Sequence, residues 1–404
     1  MDKPNEKFFT LTDNLFTFSN FVCDCVTDVE NIKPGEIKET VKMQALPNKP
    51  VRFAFAPSYG MVRLADTGAI NSNRILSDLL NIQKGKKDML FSFFTEYGFF
   101  FPLSASGYEA VDIDALYSIV ERIKALVALM GSIGEAKKNY KKILSLVLYL
   151  NLTPPTEVHF SCFGGEIFKT CEHTLYTEMA KAALLPQFAA STIFDDDSYT
   201  IDDTIFSPSY RFNIDEFNNI IGGYAKTVAG NGSAQMFKDI TRLYCNAPNL
   251  SYELRQYVDL LFHFQHSIAV VKNYDSDGNI EYYDTDENVR LRYSSNFNDP
   301  MKRALINVAK VTVRDEIECN LGGMRPQYDI ETMSPSWEIQ DLLTGIYVSL
   351  FFMRPGIELY RKCSNPSCNR MFLVNTTSAK RKYCSASCRN AATQRAHRLR
   401  KQGL

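Results

Sequence analysis

The sequence predicts an α+β fold: a large, helix-rich N-terminal body with a few strands and hairpins, then a small C-terminal module of a hairpin and a terminal helix organised by four cysteines. Long stretches repeat apolar residues at three- and four-residue steps, the period of a helix with one buried face. Shorter stretches alternate with period two between Gly, Pro and Asp-Gly, the pattern of strands and tight turns. Near the end, Cys363, Cys368, Cys384 and Cys388 form a C-x4-C pair and a C-x3-C pair separated by fifteen residues.

Residues 8–65 read as mostly extended. Phe8-Phe9-Thr-Leu, Leu15-Phe-Thr-Phe and Val51-Arg-Phe-Ala-Phe55 alternate as strands do, with Pro34-Gly35 and Pro47-Asn-Lys-Pro50 as punctuation. Ile75, Leu79 and Leu80 begin a helical stretch that runs into Phe91–Leu103, where seven aromatics fall in eleven positions. These aromatics lack interleaved Lys and Arg, so core packing is expected over a base-stacking surface. From Asp112 to about Leu150, Leu116, Ile119, Val120, Ile123, Val127 and Met130 trace one apolar face, and Gly131 and Gly134 divide the region into two helices. Lys137, Lys138, Lys141 and Lys142 read as a solvated face of the second.

A helix is expected around Glu172–Leu185, followed by an acidic surface loop at Phe194–Asp203, whose aspartates lack the order of a calcium-binding loop. The glycine pairs at Gly222-Gly223 and Gly230-Asn-Gly232 read as turns. Residues 234–271 are helical in two segments divided near Pro248. Asp275-Ser-Asp-Gly-Asn279 is a hairpin signal, because Asp-Gly supplies the positive φ angles of a tight turn, and Val289–Tyr293 reads as a third strand beside it. Ser334-Pro335 reads as the N-cap and first-turn proline of a last body helix, whose apolar face is Ile339, Leu342, Leu343, Ile346, Tyr347, Leu350 and Phe351. Arg354-Pro355-Gly356 closes it, so the expected domains are an acidic body over 1–353 and a cysteine module over 357–404.

Charge divides at the same place. Residues 354–404 hold 12 Lys and Arg against the single acid Glu358, a balance of +11; the chain totals of 45 and 46 leave 33 against 45, or −12, on residues 1–353. A basic tail on an acidic body points to nucleic acid or an acidic surface as the tail's partner. No apolar run approaches the roughly 20 residues needed to span a bilayer, and the N-terminus lacks a secretory pattern, so no membrane partner and a cytoplasmic location are expected. There, paired cysteines more often hold metal than each other. The other six cysteines, Cys23, Cys25, Cys162, Cys171, Cys245 and Cys319, show no disulfide-framework spacing.

Thiolates are soft ligands that suit tetrahedral Zn²⁺, and structural zinc sites commonly take four of them in two clips. The expected cofactor is one structural Zn²⁺ on Cys363, Cys368, Cys384 and Cys388. A module this small and polar cannot bury enough apolar surface to fold unaided. Met371-Phe-Leu-Val374 has strand character, Asn375–Ser378 turns the chain, and Lys380-Arg-Lys-Tyr383 returns it, with Phe372 and Tyr383 packing over the metal. On a helical wheel of about 100° per residue starting at Cys388, Ala392, Arg395 and Leu399 fall on the inward face. Asn390, Thr393, Gln394, His397, Arg400 and Lys401 fall on the opposite half, with Arg389 and Arg398 on the flanks. His397 lies opposite Cys388, which favours an all-cysteine site. A second metal site remains open at Cys23/Cys25, with Cys162, Cys171 or His173, or at His263/His266; ordinary structural roles are the default for both.

The C-terminal segment resembles the CGNR-type zinc finger, a C-terminal module of bacterial proteins regarded as transcription regulators. The likeness rests on the N-P-x-C clip, the apolar Met371-Phe-Leu after it, Arg381-Lys-Tyr-Cys384-Ser at the second clip, and Arg395-x-His397-Arg398-x-Arg400. Where the family has its Cys-Gly-Asn-Arg tetrad, this chain reads Cys388-Arg389-Asn390-Ala391.

The function expected is zinc-dependent nucleic-acid binding, to DNA rather than RNA, in transcription regulation. Lys380, Arg381, Lys382, Arg389, Arg395, Arg398, Arg400 and Lys401 supply cations for phosphates, and Asn390, Gln394 and His397 are placed for base edges. The alternative is a structural or protein-interaction role in which the module docks an acidic protein surface. Homo-oligomerisation or a protein partner through the body stays open. No nucleophile elbow, P-loop, dinucleotide fingerprint or zincin motif appears, leaving an enzyme only as a carboxylate–histidine site around His159, His173 or His263.

Overall fold

The computed structural model describes residues 16–33, 36–56, 60–65, 70–72, 75–160, 167–170, 172–182, 198–201, 210–213, 236, 239–244, 250–330, 333–353, 358–368, 370–375 and 381–401. The N-terminal alternation becomes strands β1 (Phe16–Lys33), β2 (Glu36–Ala56), β3 (Gly60–Leu64) and β4 (Ile70–Ser72). Helices α1 (Ile75–Asn81) and α2 (Lys87–Tyr97) precede β5 (Glu109–Val111), α3 (Ile113–Gly134) and α4 (Tyr140–Leu152). Then come β6 (Glu157–His159), β7 (Ile167–Lys169), α5 (Thr174–Ala182), β8 (Ser198–Ile201) and β9 (Tyr210–Asn213). Beyond these lie α6 (Tyr252–Ser267), β10 (Val271–Tyr274), β11 (Ile280–Tyr282), α7 (Asp286–Asn296) and α8 (Asp299–Cys319). The chain ends with β12 (Met324–Asp329), β13 (Ser334–Ile339), α9 (Leu342–Phe351), β14 (Glu358–Lys362), β15 (Met371–Asn375) and α10 (Ala386–Lys401). Phe8–Leu11, Pro34-Gly35, Cys162–Gly165, Phe194–Asp197 and the glycine pairs at 222–223 and 230–232 lie outside the described residues.

The chain forms two compact units. One comprises residues 1–127, 155–171 and 317–404, the other residues 128–154 and 172–316. The first is built on an antiparallel sheet of order β1-β2-β3-β4, in which β2 also pairs with β5. Phe16 faces Phe55 and Phe18 faces Phe53 across β1 and β2, with stacked rings at 5.4 and 4.9 Å. Pro47 and Pro50 do not end the strand, as their sequence suggests they should. The ladder instead shifts register between Phe21↔Pro50 and Cys23↔Ala45, so residues 46–49, with Pro47 among them, bulge out and Pro50 sits at the edge of the irregularity.

The aromatic run of α2 and its sequel is core, as expected: Phe93, Phe94, Tyr97, Phe99, Phe100 and Phe101 are all buried. Gly98 links the two halves at φ 84°, where a Cβ would stand 2.4 Å from Asn20 Nδ2 and 2.5 Å from Phe21 O. That closeness is used: Asn20 Nδ2 donates to Phe99 O at 3.0 Å, tying the aromatic segment to β1.

The helix expected from Ser334-Pro335 starts later. Ser334–Ile339 is strand β13, in register with β12, and the helix begins at Leu342 under Asp341, whose side chain accepts from Thr344 N at 2.7 Å. Pro335 sits in a two-stranded ladder, where each strand has a free edge and a proline costs little. Leu342, Leu343, Ile346, Tyr347 and Leu350 are buried as the spacing requires, while Phe351 is exposed.

In the second unit, α4 begins after Gly134 ends α3, and the hairpin β10–β11 turns at Asp275–Asn279 as predicted. Asp275 Oδ1 accepts from Asp277 N at 3.0 Å and Asn279 N at 2.8 Å, and Gly278 takes φ 89°. Val289–Tyr293 is not a third strand but the middle of α7. Thr285 caps it by accepting from Asn288 N, Asp286 and Glu287 fill its first turn, and only Val289 is buried. These N-terminal signals outweigh the β-branched and aromatic residues that suggested a strand. Three buried polar contacts knit this unit: Asn151 Nδ2 donates to Thr312 Oγ1 at 2.9 Å, Tyr257 also bonds Thr312, and His173 Nε2 lies 2.6 Å from Glu316 Oε2. Cys319, at the end of α8 and already in the first unit, is disulfide-bonded, a use that sequence spacing did not indicate.

Replacing Gly98 with Ala forces a side chain into both the left-handed backbone region and the Asn20 contact. It is expected to destabilise the first unit by about 2–4 kcal/mol, read as a lowered denaturation midpoint; an unchanged midpoint would show that the contact is slack.

Candidate metal centre

The module begins as a ladder. β14 and β15 pair antiparallel, Lys362 facing Met371 and Arg361 facing Phe372. The ladder partner of Met371–Val374 is thus the strand before the first clip, whereas the returning chain at Lys382 and Tyr383 packs against the cysteine cluster without joining the ladder. The physical reason lies in the clip itself. Cys363 N donates to Arg370 O at 2.8 Å and Cys368 N to Asn365 O at 2.9 Å, bonds that hold the flanks of the first clip side by side. Asn365, buried, also accepts from Ser367 Oγ at 2.9 Å.

The second clip is laid against the first. Ser364 N donates to Lys382 O at 2.9 Å, and Cys384 N approaches Cys363 Sγ at 3.5 Å. Ser385 caps α10, its hydroxyl accepting from Cys388 N at 3.2 Å, which sets Cys388 in the first helical turn. The positive end of the helix dipole thus faces the sulfurs. Cys363 is buried and the other three cysteines are half-buried.

The four sulfurs lie within 4.8 Å of one another. Cys368 and Cys384 stand at 3.6 Å, and Cys384 and Cys388 at 3.5 Å. A tetrahedral ion with Zn–S bonds of about 2.3 Å separates its sulfurs by about 3.8 Å, so the cluster fits the group. None of the four is in a disulfide. Hydrogen bonding from Ser385, then Asn365 and the neighbouring thiols, holds Cys388 down to about 6. Burial, then the adjoining cysteines, pushes Cys384 up to about 12, and its S–H donates to the Cys388 sulfur. Four cysteines in this arrangement bind one structural Zn²⁺.

Packing over the centre follows expectation: Phe372 and Val374 are buried with Cys363, and Tyr383 packs against the same cluster. The role of Arg381 was not legible from charge. Its guanidinium lies 5.2 Å from the Phe372 ring centroid and donates to Tyr383 O at 3.2 Å and Cys384 O at 2.5 Å. It is a strut across the second clip. A further contact has no sequence signal at all: Asn81 of α1 accepts from Met371 N at 2.7 Å, while Ser77 Oγ donates to Met371 O at 2.9 Å. These bonds fix β15 to α1 within the first unit.

On α10, Cys388 and Ala392 are half-buried and Arg389, Asn390, Thr393, Gln394 and Arg398 are exposed, matching the wheel. Arg395, placed on the inward arc, is exposed as well. Lys382 is exposed; Lys380 and the side chains of His397, Leu399, Arg400 and Lys401 lie outside the described residues.

The sulfur cluster is the one metal-capable group of three or more residues among the described residues. Burial pushes the thiol of Cys25 up to about 12, and burial beside His263 holds His266 down to about 3. Cys162 and Cys171 lie outside the described residues. His159 stands 3.6 Å from Glu157, and His173 is the partner of Glu316. No described helix is long and apolar enough to cross a membrane.

Residues 360–401 match the family model for the CGNR zinc finger. No curated protein and no solved structure matches the chain.

Arg381→Ala removes the strut without touching a ligand. Zinc affinity should fall about 10–100-fold, the usual cost of losing an outer-shell support, in competition with a chelating dye; unchanged affinity would show the guanidinium to be dispensable.

Proposed function

With residues 360–401 forming a CGNR zinc finger, we propose that the protein is a zinc-dependent DNA-binding transcription regulator of the cytoplasm. In this reading the finger over 357–404 is the working module, and the acidic body over 1–353 serves sensing or assembly. One observation carries the reading: Arg389 and Arg398 are exposed on α10 and flank the exposed Asn390 and Gln394, while Arg395, on the arc of Cys388, is exposed as well. None of these arginines has an ion-pair or side-chain hydrogen-bond partner among the described residues. Elsewhere on the chain cations are commonly paired, as in Lys42–Asp28, Lys124–Glu121 and Arg314–Glu253. A metal-anchored helix with uncommitted cations and amides side by side is suited to phosphates and base edges together. His397, Arg400, Lys401 and Lys380 extend the same set in sequence. Docking on an acidic protein surface would use the same cations and leave Asn390 and Gln394 without a purpose.

Binding to a fluorescein-labelled DNA duplex should weaken steeply with salt. The combined Arg389→Ala, Arg395→Ala and Arg398→Ala variant should retain zinc and lose about 2.7 from the slope of log K against log salt, at about 0.9 per phosphate contact. Absence of salt-dependent duplex binding by the unmodified chain would overturn the reading.

A further inference from the structure

The basic surface does not end with the terminal helix. Lys362 is the last residue of β14, paired with Met371, and Arg370 faces Cys363 across the clip through the 2.8 Å bond from Cys363 N. Lys382 is laced to the neighbouring Ser364 by the 2.9 Å bond to its carbonyl. Three cationic residues from separate parts of the sequence are thus gathered around the first clip, all exposed. As with the arginines of α10, no side-chain hydrogen bond or ion pair engages them among the described residues. Residues 359–401 contain no Asp or Glu, and the module's single acid, Glu358, stands at the opposite end of β14 from Lys362.

The aromatics of the same module are spent inside it. Phe372 is buried under the Arg381 guanidinium, Tyr383 packs on the cysteine cluster, and Tyr360 is half-buried. Single-strand binding relies on exposed aromatic faces that stack on bases, and this surface offers cations without them. A regular array of phosphates is the ligand such a surface fits.

Resting on the DNA-binding reading above, we propose that the interface continues from α10 onto the clip hairpin, where Lys362 and Arg370, beside Lys382, contact the phosphates of double-stranded rather than single-stranded DNA. Arg381, although basic and adjacent, is a positioning residue that holds the second clip. Lys362, Arg370, Lys382, Arg389, Arg395 and Arg398 together contribute about −5.4 to the salt slope, at about 0.9 per phosphate contact, before any contribution from Lys380, Arg400 and Lys401.

The test is a salt titration of the full chain by fluorescence anisotropy on a random-sequence duplex and on one of its single strands, for the unmodified chain and for Lys362→Ala/Arg370→Ala. The double variant should keep its zinc and lose about 1.8 from the slope, and the single strand should bind at least about tenfold more weakly than the duplex. Should the double variant lose zinc, the separate Lys362→Gln and Arg370→Gln substitutions carry the test, each expected to remove about 0.9. If the unmodified chain binds the duplex and its slope survives both substitutions, the hairpin contacts are refuted while the α10 reading stands. Equal or tighter binding of the single strand overturns the choice of duplex. If the unmodified chain binds no DNA, the functional reading itself fails.

Discussion

The gathering of four sulfurs around one ion is the constraint on which the C-terminal module depends. Among the described residues, Phe372 and Val374 join Cys363 as its buried core, and two apolar side chains are far too little to hold some forty residues against their conformational entropy. A structural zinc site contributes on the order of 10–16 kcal/mol to folding in comparable modules, enough to replace the missing core. Each local device then reads as support for the ligands. The clip turn brings Cys363 and Cys368 together, the Ser385 cap delivers Cys388, and the Arg381 strut steadies the carbonyls next to Cys384.

Metal and helix dipole together also explain why the surface can be so basic. Four thiolates and one Zn²⁺ carry a net charge of about −2, and the helix start points at them. The anionic centre offsets part of the repulsion among cations that face outward. The hydrogen bonds of Asn81 and Ser77 to Met371 add a second anchor, outside the finger. Through them, a shift of α1 would be felt at β15, one residue from the buried Phe372.

How much of this could be read in the sequence followed the range of the forces involved. Short-range signals were legible: the cysteine spacing, the Asp-Gly turn at Asp275–Asn279, the apolar period of α3 and the inward place of Cys388 and Ala392. Competing short-range signals misled. Ser334-Pro335 serves a strand start as well as a helix cap, and Val289–Tyr293 looked extended until Thr285 and its acidic neighbours are counted as a helix start. Long-range partners were not legible. Nothing local marks Asn81 as the partner of Met371 or β14 as the partner of β15, because each depends on where distant or folded-back backbone comes to rest.

Zinc and DNA binding tested on one preparation probe the central claim most directly. Zinc per chain and duplex affinity at fixed salt would be measured for the full chain before and after chelation, with Cys384→Ser alongside. One zinc per chain, with duplex binding lost on chelation and in the variant and restored to the chelated wild-type chain by added Zn²⁺, is the predicted result. A chain that holds no zinc, or that binds the duplex equally well without it, would contradict a basic helix whose placement depends on the metal.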